Sequence, residues 1–472
     1  MNFDDYDIIP VVRELSADAI TPVAAFAALS GDSAEAFLLE SVERGENVGR
    51  YSFVGFDPRR SLRFDQTTPE PAKILDDELR PLRIYNEAAL PPFFGGAVGF
   101  FGYGVSGWSE RIPDSHRDGS NVPDARLLFF DNVVVFDHVK QRLYVVANIF
   151  TADSHASLDA ANARLDHAIE RLRRASVDLL AFPAQPEPVA FEAGMDREAF
   201  ERMVREAKEE IVAGEIFQIV LSQRWSTDFE AKNALTLYRA LRSINPSPYM
   251  FLLRTAECTL VGASPEMLVR VTGDVVETRP IAGTLPRGAT READLDLERR
   301  LLADPKERAE HLMLVDLGRN DLGRVCAGGS VEVEDFCHVE RYSHVMHLVT
   351  NVRGRLREGQ TPVDAFLSAF PAGTLSGAPK IRAMELIDRF ETVRRGPYGG
   401  AVAYFSFSGN LDSCITIRTI VLAGGRAYVQ AGAGIVYDSV PSSEYDECVN
   451  KSAALRQAIA MAVGARGSAP GT

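Results

Sequence analysis

The chain has 472 residues, with 51 Lys and Arg against 66 Asp and Glu for a formal charge of −15. Hydrophobic residues make up 46% and charged residues 25%, an ordinary globular composition that excludes disorder as the main state and, at this length, predicts two or three domains' worth of chain. The acidic balance, with no Lys/Arg run, argues against a nucleic acid or an anionic membrane as partner.

The opening segment MNFDDYDIIPVVREL has acids where a secretory signal would have basic residues, and no stretch approaches the ~18 apolar residues of a membrane span. Strands joined by polar turns are expected in AFLLESVERG, RYSFVGF, FFGGAVGFFGYG and RLLFFDNVVVFDHVKQRLYVVANIF, the last folding as a hairpin around DHVKQR. A helix follows in DSHASLDAANARLDHAIERLRRA, with Leu158, Leu165, Ile169 and Leu172 at helical spacing. The proline-rich segment 181–194 predicts a linker between an N-terminal region, 1–180, and a second region, 195–462, with a frayed tail at 463–472. Asp196 is placed to cap the next helix and Gly214 to end it. Strands and helices mix without regular βαβ alternation, so the expected class is α+β. A short echo, GGAVGFF at 95–101 and GGAVAYF at 399–405, suggests two related sheets. Cys258, Cys326, Cys337, Cys414 and Cys448 are odd in number and lack CxxC spacing, which points away from disulfides and zinc and toward a reducing, cytoplasmic location.

GYGVSG at 102–107 fits GxGxxG, but no amphipathic helix follows it, so it is not a dinucleotide fingerprint. The stronger constellation is a pair of E-x-x-E units. Asp304 can cap a helix that starts at Pro305 and sets Glu307 and Glu310 on one face; Pro441 suits the start of another with Glu444, Glu447 and Lys451 on one face. An isolated ExxE is ordinarily a solvated helix face. Two such faces set among apolar residues can also share a hard divalent ion, and Mg²⁺ takes one or two carboxylates plus water and substrate oxygens. Glycine-rich segments at 277–288, 370–380, 396–405 and 429–436 suit tight turns, and equally a pocket whose backbone N–H groups meet an anion. Arg418, a lone charge in SCITIRTIVL, is a carboxylate-clamp candidate. His344 and His347 lie three apart in an apolar strand, and Glu266 follows a proline turn before an apolar run, where burial would raise its pKa and suit it to acid–base work.

These segments in this order resemble the chorismate-utilising enzymes, specifically anthranilate synthase component I. The matching strings are GASPEML, PIAGT, AEHLMLVDLGRND, YSHVMHLV, GTLSGAPK, GGAVAYF, IRT, QAGAGIV and SEYDECVNK, dense from about 260 to 455, with LLES and GRYSFVG in the first half. The resemblance implies two packed β-sheets flanked by helices and a Mg²⁺-dependent amination of chorismate with loss of pyruvate. Carried over by position, Glu310 and Glu447 are metal ligands, with Glu307 and Glu444 in the outer shell. Thr374, Tyr398, Arg418 and Gly434 meet the pyruvyl side of chorismate. Gly283, Thr284, Gly432 and Lys451 lie near the ring carboxylate, and Ala433 is a further substrate-binding position. Glu266 is the acid near the 4-hydroxyl and His347 assists the elimination, whereas His344 is structural.

Two positions discriminate within the superfamily. Relatives that form aminodeoxychorismate have a lysine where Ala282 stands, and isochorismate and salicylate synthases have a water-activating lysine where Gln218 stands, on the ammonia side. Their absence points to direct ammonia attack and aromatisation. Glu40, Ser41, Pro248, Tyr249 and Met250, with Arg50 where some members have Lys, resemble the tryptophan site of feedback-inhibited members. No glutaminase segment is visible, so a separate glutamine amidotransferase subunit is the implied ammonia source, in a heterodimer or a heterotetramer. Two other readings stay open: an aminodeoxychorismate or 2-amino-2-deoxyisochorismate synthase, and a non-catalytic tryptophan-binding regulatory subunit.

Overall fold

Strands that are apolar on both faces need cover on both sides, and here two antiparallel sheets supply it to each other while helices cover their outer faces. The computed structural model of the chain describes residues 5–31, 33–42, 49–116, 120–153, 156–341 and 345–467. In the first sheet the strands run, edge to edge, Ile8–Ser16, Arg142–Phe150, Asn132–Asp137, Tyr51–Phe56, Ala36–Glu40, Tyr249–Arg254, Thr259–Ser264, Thr419–Ala423, Arg426–Ile435, Gln218–Asp228 and Glu192–Ala193. In the second they run Ile281–Pro286, Val345–Arg355, Val275–Thr278, Met267–Thr272, Leu411–Ile415, Ala401–Ser406, Gly96–Phe101, Ala125–Phe130 and Arg60–Phe64. An aromatic layer fills the space between the sheets, with Phe37, Phe53, Phe93, Phe100, Phe130 and Phe251 all buried. Phe37 meets Phe130 edge-on at 4.8 Å between ring centroids, a geometry that adds to area burial.

Both sheet orders read alike outward from one pseudo-twofold axis. It passes between Ala36–Glu40 and Tyr249–Arg254 in the first sheet and between Gly96–Phe101 and Ala401–Ser406 in the second. The sequence echo therefore has a different meaning from the one expected. GGAVGFF and GGAVAYF do not mark two sheets but are adjacent strands of one sheet, with Ala97 paired to Phe405 and Phe101 to Ala401, as a twofold between them requires. Each sheet is built from one contiguous block of strands from before residues 181–194 and one from after them, so that segment separates two halves in sequence that share both sheets. Its ends are tied down: Leu180–Ala181 pairs with Arg466–Gly467, and Glu192–Ala193 with Trp225–Ser226. The tail thus has a paired stretch where fraying was expected, and 468–472 lie outside the described residues.

Helix starts follow the local chemistry. Asp196 accepts from Ala199 N at 2.8 Å to cap the helix Arg197–Val212, and Gly214 follows its end at a φ of +81°. Asp304 accepts from Lys306 N and Glu307 N at the start of Pro305–Gly323. In Leu158–Arg173 the residues Leu165 and Leu172 are buried as expected, but Leu158 is 54% exposed because it sits in the first turn, just after the Ser157 cap. No helix among the described residues is long and apolar enough to cross a membrane, and the five cysteines are buried and free.

Two neighbouring strands change sheet at the same place. Thr259–Ser264 of the first sheet passes through Pro265 and Glu266 into Met267–Thr272 of the second, while Leu411–Ile415 of the second returns through 416–418 to Thr419–Ala423 of the first. The corners bond to each other, Ala263 N to Arg418 O at 3.1 Å and Ile415 N to Glu266 O at 3.0 Å. Beneath them lies a fully buried ion pair. Arg395 donates to both carboxylate oxygens of Glu391, to Leu375 O at 2.6 Å and to Val220 O at 2.7 Å, and Glu391 also accepts from the amide and hydroxyl of Ser222. Arg395→Met would leave the Glu391 charge buried without its partner and should cost about 3–5 kcal/mol in urea unfolding, with the paired change Glu391→Leu/Arg395→Met costing clearly less.

Candidate active site

Each corner presents an ionisable group, Glu266 to a cavity of about 50 Å³ under the loop 369–374 and Arg418 to an open cleft whose Lys451 is within electrostatic reach of Glu266. Glu266 is largely enclosed, accepts a hydrogen bond from the Thr374 hydroxyl at 2.9 Å, and is pushed by burial up to about 7, with Thr374 and the Lys451 ammonium pulling the other way. Arg418 takes a left-handed φ of +49° and is held below its usual pKa by burial, against the opposing influence of Tyr398. Arg418 lines an open cavity of about 540 Å³ together with Glu447, Lys451 and Asn450. Lys451 pairs with Glu447 Oε1 at 2.7 Å and donates to Gly432 O at 3.0 Å.

Glycines let neighbours close in on that cleft. A Cβ at Gly432 would stand 2.8 Å from both the Tyr398 hydroxyl and Leu221 O, and one at Gly434 would stand 2.9 Å from the Gln218 amide nitrogen. Ala433, between them, turns its side chain into the helix-side core, so only its backbone lies on the strand between the two. On the far wall, Gly283 adopts a φ of +64° at a bulge and its carbonyl accepts from His347 Nδ1 at 2.9 Å, with Thr284 Oγ1 at 3.1 Å. A carbonyl can only accept, so Nδ1 holds the ring proton and Nε2 is the basic nitrogen. Burial first, then the nearby Arg418 charge, keep His347 below its usual pKa and hence neutral. His344 lies outside the described residues. His311, beside Glu310, is a fully buried core histidine bonded to the Thr350 hydroxyl at 2.6 Å.

The two carboxylate-bearing helix starts lie within electrostatic reach of each other, through Lys306 and Glu444. Burial and the Glu310 charge raise the pKa of Glu307, and burial and the Glu447 charge raise that of Glu444, which also feels Lys306 from the other helix. Carboxylates crowded in this way, with Lys451 as the near counter-charge, are a donor set that fits a hard cation. Among the described residues no three His, Cys, Asp or Glu side chains converge into a ready-made cage. The protein would therefore offer a carboxylate from each helix and leave the remaining positions to water and substrate oxygens.

A second cavity, of about 320 Å³, opens beside the central strands and takes in Glu40, Ser41, Arg50, Pro248, Tyr249 and Met250 together. The buried Ser41 hydroxyl has no hydrogen-bond partner among the described residues. Arg270 and Asp412, paired at 2.9 Å and both bonded to the Tyr249 hydroxyl, form one wall that was not anticipated. They are lone charges in apolar strands, the same signal that singled out Arg418. Met267–Thr272 and Leu411–Ile415 line this cavity at one end and reach Glu266 at the other.

Residues 34–457 match the family model of chorismate binding enzymes. The chain is 47% identical to anthranilate synthase component 1 of Acetivibrio thermocellus, over 96% of each chain, and 46% identical to that of Thermus thermophilus, over 96% of this chain and 98% of the relative. It superposes on the crystal structure of anthranilate synthase component I from Streptococcus pneumoniae with a TM-score of 0.78 at 36% identity, covering 93% of this chain and 99% of that one. The menaquinone-specific isochorismate synthase of Escherichia coli shares the fold at 20% identity and a TM-score of 0.73. The chain belongs to the chorismate-binding enzyme family, and within it to the component 1 proteins of anthranilate synthase.

The raised pKa of Glu266 has a stability consequence. The unfolded chain releases this proton as pH passes 4.5, whereas the folded chain keeps it until about 7, so raising pH through that window weakens the folded state. Glu266→Gln removes the effect. It should gain on the order of 1–3 kcal/mol relative to the wild type between pH 5 and pH 8 in denaturant titrations; parallel stability profiles would count against the assignment.

Proposed function

We propose that the chain is the large subunit of an anthranilate synthase, converting chorismate and ammonia into anthranilate, pyruvate and water. The observation that supports this most is the grouping of Arg418, Lys451 and Glu447 on one cleft, with Glu266 within electrostatic reach of Lys451 and His347 of Arg418, and with no lysine at the discriminating positions Ala282 and Gln218. Arg418 offers two parallel N–H donors to the pyruvyl carboxylate, with Thr374, Tyr398 and the backbone of Gly434 around it. Gly283, Thr284, Gly432, the Ala433 backbone and Lys451 form the side toward the ring carboxylate. Gln218 lies beside Gly434, where an amide can orient incoming ammonia. Glu266, protonated below its pKa of about 7, hands a proton to the departing 4-hydroxyl. Neutral His347 then assists loss of the pyruvyl group.

Glu310 and Glu447 would hold a magnesium ion, with Glu307 and Glu444 bonding through its water. Such an ion, when bound, would neutralise the ring carboxylate of chorismate. Ammonia would come from a separate glutamine amidotransferase subunit, in a heterotetramer located in the cytoplasm, where the free cysteines stay reduced.

The cavity beside Ser41 supports feedback inhibition by L-tryptophan. It is large enough for an indole, has on its wall Glu40, whose carboxylate is held by Tyr238 and Arg242, and Ser41, whose hydroxyl has no partner among the described residues, and lies away from the cleft, so inhibition would act by shifting a conformational equilibrium.

Purified protein with chorismate, magnesium and ammonium should produce anthranilate fluorescence that chelator abolishes. Chorismate consumed without fluorescence would indicate an aminated product that is not aromatised. Glu447→Gln should lower turnover at least ~100-fold, and magnesium-dependent rates equal to wild type in that variant would remove the metal assignment. Ser41→Ala should raise the tryptophan concentration for half-inhibition about tenfold, the worth of one buried hydrogen bond, and unchanged inhibition would refute this pocket as the effector site.

A further inference from the structure

Two of the motif strings, AEHLMLVDLGRND and GTLSGAPK, end in residues with no part in the chemistry above: Asp321 and Lys380. The fold brings them together at 2.9 Å, with side chains only 9% and 12% exposed. Neither is placed to stabilise its own helix. Asp321 is in the last turn of Pro305–Gly323, where the helix dipole is negative, and Lys380 opens the helix Lys380–Phe390, where the dipole is positive. Each charge is at the unfavourable end, and burial raises the pKa of Asp321 against the pull of Lys380. A pair that is costly for both helices has to be explained by what it joins.

It joins the two segments that flank the proposed acid. Lys380 ends the loop 370–379, which places the Thr374 hydroxyl on Glu266. Asp321 belongs to the helix whose other end presents Glu307 and Glu310. Glu266, Thr374, Asp321, Leu317 and Gly318 line one small cavity of about 50 Å³ between loop and helix. The loop lies directly on the helix: a Cβ at Gly373 would fall 1.8 Å from Leu317 Cδ2. Other charges near this cavity are Arg279 on its rim and Lys451 across Glu266.

We propose that the Asp321–Lys380 ion pair is a positioning clasp, which holds the Thr374 loop against the carboxylate-bearing helix and so fixes Glu266 relative to Glu307 and Glu310. This rests on the anthranilate synthase reading, within which the clasp touches neither substrate nor metal and acts through Thr374. Removing both charges avoids leaving one buried alone, so the variant Asp321→Asn/Lys380→Met should fold.

The test measures ammonium-dependent anthranilate formation and thermal unfolding for the wild type, for Asp321→Asn/Lys380→Met, for Thr374→Val and for the three changes combined. The charge-free variant should lose about 10–100-fold in kcat, the effect of a small misplacement of a catalytic group, with the KM for chorismate within about twofold. The combination should be no worse than Thr374→Val alone, because both changes remove the same contact. Lys380→Arg, which keeps the pair, should restore kcat to within about threefold of wild type. If the charge-free variant does not fold, Lys380→Met alone, which breaks the contact from one side, is held to the same kcat and KM expectation. A folded variant with wild-type kcat, or a combination whose losses multiply, would overturn the clasp. A wild-type chain that makes no anthranilate would overturn the functional reading on which it rests.

Discussion

The sheet-switching corner is the constraint from which the site follows. A strand that leaves its sheet breaks the ladder, and its backbone groups must find partners elsewhere or stay buried and unpaired. Here two strands cross together and satisfy each other through Ala263 N to Arg418 O and Ile415 N to Glu266 O. Because the pleat is interrupted, side chains at the corners need not alternate between faces. Glu266 can therefore turn toward the loop 369–374 and the helix Pro305–Gly323, and Arg418 toward the helix Pro441–Val463. Burial there pushes Glu266 up to about 7 and Arg418 down.

The corners hold their shape because of what lies under them. Arg395 binds Leu375 O, next to Thr374, and Val220 O, on the strand that begins with Gln218, and its guanidinium lies 5.7 Å from the centroid of the Tyr398 ring. One buried side chain thus fixes elements that contribute three of the residues at the cleft. Glu391 and Ser222 complete the network, so no charge is left uncompensated. A site built this way is preorganised, and the strain of burying Glu266 is borne by packing around it rather than by its own contacts.

What the sequence disclosed depended on the range of the interaction. Asp196 and Asp304 cap their helices as expected because a cap is decided within four residues. The two E-x-x-E faces were legible for the same reason. Ser41 and Tyr249, some two hundred residues apart, came together only through resemblance, since nothing local links them. The pseudo-twofold left just seven residues of echo, because a β-strand position demands apolar character and size but not identity. Arg270 and Asp412 went unnoticed although each is a lone charge among apolar residues, a pattern that gains meaning only when the partner strand is known. Ala433 shows the limit of carrying a role by position: its neighbours on either side face the cleft, and the period of two turns its own side chain away.

The symmetry also shows how one corner is left open and the other closed. In the first half the equivalent crossings run from Phe56 to Arg60, with Asp57 at a φ of +50°, and from Phe130 through Asp131 to Asn132. Asp131 stands where the second half has its Arg418 corner, and the helix Leu158–Arg173 supplies Arg164 to pair with it at 3.1 Å, in a place that corresponds to the carboxylate-bearing helix Pro441–Val463. Arg59 pairs with Asp153 and lies over the Phe150 ring at 4.4 Å, and Asn148 donates to Phe94 O and Asp131 O. The charges named there, Asp131, Arg164, Arg59 and Asp153, are paired with one another. In the second half the signs are arranged so that Arg418 has no carboxylate paired with it among the described ion pairs and the helix carboxylates crowd one another. The same backbone corner is thus a closed joint in one half and an open, uncompensated one in the other, and the strands Met267–Thr272 and Leu411–Ile415 tie the open corner to the cavity beside Ser41. Those strands thus join the cavity wall, through Arg270 and Asp412, to the backbone from which Glu266 and Arg418 project.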